Sequence, residues 1–256
     1  MNLLYADNII LLSTSEAELQ ELVDRLDSLL INVDKTKVME SDGTACHILI
    51  QNEQLEQVDT FQYFGSLITE DGECTTESCA RLNREHAIVA SLQKIRKSHS
   101  ILISTKIQLM KAIVWPVATY CCEIWTLREN EEMHLNGLEM KGLRKIWQVL
   151  WTAKKTNEWV LNKAGGVKRE LLDTVNARKI AYYCHTMRKQ GSCLEKEIMQ
   201  GTMPGARRRE RPCTAWMDNI NTWTGLPVEE SIRMTQDRDK WRKYVHCVAN
   251  PQTEDD

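Results

Sequence analysis

A carboxylate and a carboxamide lie side by side between two short apolar runs near the start of the chain. The apolar residues 3–4 and 9–12 flank Tyr5-Ala6-Asp7-Asn8. Apolar runs around a tight polar turn predict a β-hairpin with Asp7 and Asn8 at its tip. A charge between buried strands is costly unless it meets a partner, and a carboxylate is a ligand for Mg²⁺. Nucleotidyl transfer through two metal ions needs clustered carboxylates, which Asp7 alone does not supply.

Basic residues are concentrated in the second half of a chain whose net charge is only −3. Residues 1–80 contain 3 Lys and Arg against 16 Asp and Glu, a net charge of −13. Residues 141–211 contain 17 against 6, a net charge of +11. This asymmetry favours a polyanion, RNA or DNA, as the partner of the second half. Solvated basic helix faces without a ligand are the alternative interpretation.

The segment 201–212 carries the densest positive charge in the chain and is bounded by glycine and proline. Both residue types break helices, so the basic side chains of this linker cannot decorate a helix face. A flexible arm on RNA or DNA is the favoured interpretation, and a nuclear-targeting signal is the alternative. The arginines concerned are Arg207, Arg208, Arg209 and Arg211.

The spacing of cysteine and histidine argues against a zinc site. The nine cysteines include the adjacent pair Cys121-Cys122, and the sequence has no C-x-x-C pair or regular cysteine–histidine spacing. We therefore expect reduced thiols in a nuclear or cytoplasmic, intracellular protein. No apolar run approaches the roughly 18 residues of a transmembrane helix. We expect neither a membrane partner nor a small-molecule substrate.

Apolar periodicity predicts a short mixed segment followed by a long helical one. A capping box at Ser15 predicts a helix over residues 16–30, and short strands are predicted at 46–50 and 61–64. From about Thr76 onward the period is helical. The predicted helices cover 77–98, 104–114 with Ser104 as cap, 117–127, 129–149, 168–190, 193–200, 214–223 and 236–248.

Three motifs follow one another in the first 66 residues. They are Tyr5-Ala6-Asp7-Asn8, Asn32-Val33-Asp34-Lys35-Thr36-Lys37 and Phe61-Gln62-Tyr63-Phe64-Gly65-Ser66. In this order they resemble the YADD, N-x-x-K-T and F-x-Y-L-G-S motifs of non-LTR (LINE-type) retrotransposon reverse transcriptases, best those of RTE-like elements that carry an endonuclease. Later segments, as far as residues 237–241, are similar to the region that follows the palm in that family. The resemblance spans nearly the whole chain and concerns the C-terminal part of the family's protein.

The resemblance implies an RNA-directed DNA polymerase, a nucleotidyltransferase that uses Mg²⁺ and binds an RNA and DNA template–primer. It implies that Asp7 is a metal ligand, that Lys35 and Lys37 lie near nucleotide or template, and that residues 63–65 grip the primer. The alternative for these positions is sheet core and solvated charge. The helices after the palm resemble the thumb, which binds mainly phosphates. The residues implied are Tyr63, Phe64 and Gly65 in the primer grip and Lys94, Arg96, Lys97, Lys106 and Lys111 in the thumb.

Several positions depart from the family pattern. Asn8 stands where the family has a second aspartate, and its neutral amide supplies at most one carbonyl ligand. The family's other metal-binding aspartate would lie upstream of Met1. Phe64 replaces the usual leucine, and Cys121 stands where the family has glycine. Together these departures predict a truncated copy that is catalytically inactive.

We therefore expect an α+β fold in three parts. A small, incomplete palm-type antiparallel sheet is expected at 1–75, a helical thumb at 76–150, and a basic helical C-terminal region at 151–256 with its linker at 201–212. The favoured function is an inactive reverse transcriptase remnant that retains nucleic-acid binding. The alternatives are a domesticated or residual RNA- or DNA-binding interaction protein without enzymatic activity, and a pseudogene-like product without function.

Overall fold

The chain forms two compact units, Met1–Glu77 and Ser78–Asp256. The first contains the strands and one helix, and the second is helical, so the expectation of a fold that mixes helices with short strands is confirmed. The assignment of residues 1–75, 76–150 and 151–256 to palm, thumb and C-terminal region stays a prediction. The computed structural model describes residues 2–5, 8–26, 31–41, 43–163, 170–191, 193–200 and 215–249.

Short strands pair two by two in the first unit. Instead of one antiparallel sheet, the described residues form four two-stranded sheets, in the pairs β1–β2, β3–β6, β4–β5 and β7–β8. The β3–β6 pair is parallel and the others are antiparallel. The strands are β1 Asn2–Tyr5, β2 Asn8–Leu11, β3 Lys37–Val38, β4 Leu49–Ile50, β5 Glu53–Gln54, β6 Glu56–Gln57, β7 Thr60–Tyr63 and β8 Ser66–Thr69.

The helix of the first unit begins where its capping residues predict. Helix α1, Glu16–Asp24, has Ser15 as N-cap, and the Ser15 hydroxyl accepts a hydrogen bond from the Glu18 amide at 3.3 Å. It ends at Asp24 instead of continuing to residue 30, and residues 27–30 lie outside the described part. The helix packs with the strands around a small core, whose buried members are Val23, Val38, Cys46, Ile48, Ile50 and Leu55.

Helices make up nearly all the regular structure after residue 74. Helices α7 and α11 were not predicted, since each spans only two turns or so and adds few residues to the apolar pattern. None of the described helices is long and apolar enough to cross a membrane. The helices are α2 Thr75–Ser91, α3 Gln93–Lys97, α4 Ile103–Leu109, α5 Trp115–Ala118, α6 Glu129–Ile146, α7 Asn157–Lys163, α8 Leu171–Met187, α9 Leu194–Gln200, α10 Trp216–Thr224, α11 Val228–Gln236 and α12 Arg238–Ala249.

The expected break at Pro116 is bridged by a π-helical segment. Met110–Val114 is π-helical and joins α4 directly to α5, which contains Pro116. In an α-helix the proline ring would clash with the carbonyl of Ala112, and the wider π turn changes that hydrogen-bond register. The predicted cap Ser104 is wrong, because α4 begins at Ile103 after Leu102 and has no side-chain cap.

The helix predicted over 117–127 is wrong beyond Ala118. Cys121 has a left-handed backbone with φ of +56°, and only a short 3₁₀ turn, Cys122–Ile124, follows it. The next residues are held by distant side chains: Asn219 accepts a hydrogen bond from Leu127 N at 2.9 Å and donates one to Leu127 O at 2.7 Å. Local periodicity cannot reveal a partner that is more than 90 residues away.

Among its described residues, two apolar clusters hold the second unit together. One joins α2, α4, the π segment, α6 and α7, and the other joins α8, α10 and α12. The buried members of the first are Val89, Ile107, Met110, Val114, Met140, Leu143, Ile146 and Val160. Those of the second are Ile180, Tyr183, Cys184, Met187, Ile220 and Trp241.

Candidate nucleic-acid interface

The first unit brings together the tips of the two hairpins that carry motif residues. In the β7–β8 hairpin, Phe64 and Gly65 have φ of +46° and +78°, as in the type I′ turns that match the twist of paired strands. The exposed Phe64 ring lies edge-on to Tyr5, with ring centroids 5.0 Å apart, and 4.3 Å from the Tyr63 ring. One predicted primer-grip residue, Phe64, thus contacts the predicted active-site hairpin.

The metal site implied by the resemblance does not fit the donors that are described. Asp7 lies outside the described residues. Asn8 is exposed at the start of β2, opposite Tyr5, and its amide offers a single oxygen. In the described part of the chain no group of three or more His, Cys, Asp or Glu residues is arranged to hold a metal ion.

The second motif forms a capped turn in the first unit. The Asn32 side chain accepts a hydrogen bond from Lys35 N at 3.0 Å, and Lys35 itself is exposed. Lys37, on β3, forms an ion pair with Glu56 on β6. The motif residues therefore shape this loop, and the ammonium of Lys37 is partly neutralised within the unit.

A basic cleft lies on the second unit beside α3. Arg96 and Lys97, two of the predicted phosphate contacts, line it, and Lys94 is exposed on the same helix. The volume of the cleft is about 360 Å³. None of the described residues that line it is acidic. The lining of this basic cleft consists of Gln93, Arg96, Lys97, His99, Lys145 and Gln148.

The C-terminal end of α6 supplies the cations that the sequence analysis missed. Lys141, Lys145 and Gln148 recur at intervals of four and three residues, so they share one side of that helix and the turn after it. Lys141 Nζ lies 2.9 Å from His86 Nε2 on α2. The spacing of these residues, within the segment of net charge +11, was the sequence signal that indicated a basic face on this helix.

A buried carboxylate lies within this group of cations. Glu85 is 3% exposed, and its Oε2 atom has no hydrogen-bond partner among the described residues, with His86 Nε2 3.8 Å away. Burial raises the pKa of Glu85, and the charges of Lys145, Lys141 and Arg96 offset part of that effect.

The same cations are crowded enough to affect one another. Burial lowers the pKa of Lys145, and the nearby charges of Arg96 and Lys141 lower it further, whereas Glu85 raises it. Burial, followed by Lys141 and Lys145, likewise lowers the pKa of His86. An anion that entered the cleft would relieve this repulsion between like charges.

Lys106 and Lys111, two further predicted phosphate contacts, also lie outside the lining of the basic cleft. Lys106 is buried, and its ammonium donates hydrogen bonds to Arg96 O at 2.8 Å and Ser98 O at 2.7 Å, at the end of α3. Lys106 therefore positions α3. Lys111 forms an ion pair with Glu170 and lies 5.3 Å from the centroid of the Trp115 ring.

The four arginines of the predicted arm, Arg207, Arg208, Arg209 and Arg211, lie outside the described residues.

In comparisons with known proteins, the chain matched no family model, no curated protein and no solved structure. The resemblance to LINE-type reverse transcriptases therefore rests on the motifs, and it stays a prediction.

Proposed function

We propose that this protein is a nucleic-acid-binding remnant of a LINE-type reverse transcriptase, and that its basic cleft binds the phosphate backbone of RNA and DNA. The observation that carries the proposal is the convergence of Arg96, Lys97 and Lys145 in a cleft whose described lining contains no acid. Guanidinium and ammonium groups bind phosphate by charge-assisted hydrogen bonds. Amide donors from Gln93 and Gln148 add to this set.

The physical character of the cleft favours backbone recognition over base recognition. Its cations repel one another, so an incoming phosphate gains from their combined field. Phosphate contacts position a duplex and carry little sequence information. The arginine arm at 207–211 would extend the same footprint. We expect the template–primer hybrid of RNA and DNA to be the natural ligand, as the resemblance implies.

Removing a basic charge and removing an acidic charge at the cleft should change its affinity for nucleic acid in opposite directions. Binding of the full chain to a labelled RNA–DNA hybrid would be measured across a salt series. Lys145→Gln removes one phosphate contact and should weaken binding and reduce the salt slope by about one. Glu85→Gln removes the buried negative charge beside the cations, so it should strengthen binding several-fold.

The matched control is Lys240→Gln, which removes the same charge from an exposed position on α12, outside the lining of the cleft. It should leave the affinity and the salt slope close to those of the wild type. Equal losses of affinity in Lys145→Gln and Lys240→Gln would mean that the affinity depends on net charge alone. That result, or weaker binding by Glu85→Gln, would refute the basic cleft as the binding site.

We further propose that the chain does not polymerise by itself. Asn8 occupies the position of the family's second aspartate, and the described residues contain no carboxylate cluster to complete a two-metal site. Purified protein with a primed RNA template, nucleotides and Mg²⁺ or Mn²⁺ should extend the primer no further than an Asp7→Ala variant does. Extension that depends on Asp7 would overturn this part of the proposal.

A further inference from the structure

An exposed tryptophan on α7 lies between two lysines. Trp159 is 36% exposed, and the ammonium groups of Lys155 and Lys163 lie 5.1 Å and 4.9 Å from its ring centroid. The Lys163 ammonium also lies 5.1 Å from the ring of Trp147, at the end of α6. A large indole with a water-exposed face and cations on its rim is a poor contribution to a core and a suitable surface for a ligand.

The scaffold beneath this indole is well anchored. Val160, the next residue on α7, is fully buried in the apolar cluster of α4 and α6. Thr156 Oγ1 accepts a hydrogen bond from Trp159 N at 3.2 Å at the start of the helix. Arg144, on α6, donates to Lys155 O at 2.7 Å and to Asn157 Oδ1 at 3.0 Å. The Trp159 backbone is therefore held by contacts on both sides.

We propose that Trp159, Lys155 and Lys163 form a stacking site for an unpaired base of single-stranded nucleic acid. The base would stack on the indole, and the two ammonium groups would bind the phosphates on either side of it. This inference rests on the proposed function, because it assumes a nucleic-acid ligand. Aromatic faces flanked by cations are how single strands are bound without sequence preference.

The relative strengths of base stacking and of the cation–π contacts decide whether a base displaces the lysines from the Trp159 ring. A cation–π contact at an exposed position changes an equilibrium by a factor of about 2 to 5. Stacking of one base on an aromatic side chain contributes a factor of about 5 to 150. The base therefore outcompetes an ammonium group for the ring, and the released ammonium is attracted to phosphate. Glu158, exposed on the same helix, is the only acidic residue between 151 and 163, so the local charge remains positive.

The position of the stacking site suits a strand that leaves the basic cleft. Trp147 lies in the chain between Lys145 and Gln148, both of which line that cleft. The end of α6 thus contributes to the phosphate-binding cleft and to the rim of the stacking site. We expect the cleft to hold the backbone of a duplex and Trp159 to receive a base from an adjoining unpaired segment.

The test separates base stacking from charge. The full chain would be titrated with a single strand of about 12 nucleotides, with a strand of equal length that has the same phosphates but no bases, and with the RNA–DNA hybrid. Trp159→Ala should weaken binding of the base-bearing strand by about 5- to 150-fold and leave the base-free strand and the hybrid unchanged. Trp159→Phe, which keeps an aromatic face, should retain most of the affinity.

Each outcome has one interpretation. Unchanged binding of the base-bearing strand by Trp159→Ala, or an equal loss for the base-free strand, would overturn the stacking site. If the hybrid still responds to Lys145→Gln in that case, the basic cleft and the proposed function stand. If the wild type binds no hybrid, the proposed function fails, whereas a base-dependent loss in Trp159→Ala would still support the stacking site.

Discussion

Lys179 carries its ammonium group in the interior of the second unit. Its side chain is fully buried, and Nζ donates hydrogen bonds to Trp125 O at 2.6 Å and Asn219 Oδ1 at 2.7 Å. The ring centroids of Trp216 and Trp223 lie 4.7 Å and 5.3 Å from it. A buried charge is tolerated only where such groups replace water. Lys179 therefore joins α8 to α10 and to the extended segment after the 3₁₀ turn.

Cys121 shows the energetic consequence of a departure from the family pattern. The resemblance places glycine at this position, and the backbone of Cys121 has φ of +56°, in the left-handed region that favours glycine. The cost of this conformation for a residue with a Cβ atom is about 1–2 kcal/mol. A glycine here would avoid that cost, although it would also increase the entropy of the unfolded chain.

We therefore predict that Cys121→Gly is more stable than Cys121→Ala by about 0.5–1.5 kcal/mol. Both variants lack the thiol, so their difference isolates the contribution of the backbone conformation. The free energies of unfolding would be compared by urea denaturation monitored by circular dichroism. An alanine variant as stable as the glycine variant would show that the left-handed conformation at this residue carries no strain.

At the level of single elements, local signals were reliable where the deciding contacts are also local. The Ser15 cap and the start of α1 follow from residues within one helical turn. The β1–β2 hairpin follows from apolar runs on either side of a polar turn, although Asn8 lies in β2, paired with Tyr5, and not in the turn. Such contacts can be read from sequence because spacing alone defines them.

Other features were missed because distant side chains decide them. The segment after Ala118 leaves the helical path, and Asn219 and Lys179 bind its backbone from other elements. The basic cleft shows the same limit. Sequence indicated Arg96 and Lys97, but Lys145 joins them only through the packing of α3 beside α6. The burial of Lys106 was missed as well, since burial is not visible in the type of a residue.

Helix α6 contains two glycines whose surroundings differ. A Cβ atom added at Gly137 meets nothing within 4 Å, whereas one added at Gly142 would lie 2.6 Å from Met110 Sδ. Met110 is buried at the start of the π segment, so the close approach of the two helices there depends on the missing side chain. Gly137 lowers the stability of the helix without such a role.

We predict unequal effects of alanine at these two positions. Gly137→Ala should raise the free energy of unfolding by about 0.5–1 kcal/mol, because alanine has the higher helix propensity. Gly142→Ala gains the same propensity, but its Cβ atom requires the flexible end of the buried Met110 side chain to move, which offsets part of that gain. It should therefore be the less stable of the two variants in thermal denaturation. Equal stabilisation by both would show that Met110 adjusts freely.

Across the whole molecule, the two units differ in the means by which they are stabilised. The described core of the first unit is a single small cluster, and its strands are paired only two by two. Isolated two-stranded hairpins are at best marginally stable in water. Apolar rings are also exposed there, with Tyr5 at 66% and Phe64 at 44%. The described residues of the second unit form two apolar clusters, with eight and six buried members, and the buried hydrogen bonds of Lys179 and Asn219.

This difference predicts the order in which the units open. Backbone amides of β1, β2, β7 and β8 should exchange with solvent at least about tenfold faster than those of α6 and α8, because local opening costs less where few apolar contacts are lost. Hydrogen exchange followed by mass spectrometry measures this directly. If the β1–β2 and β7–β8 hairpins were the most protected part of the chain, this prediction would be wrong. Residues 1–75 would then behave as a self-sufficient domain, contrary to the expectation of an incomplete palm.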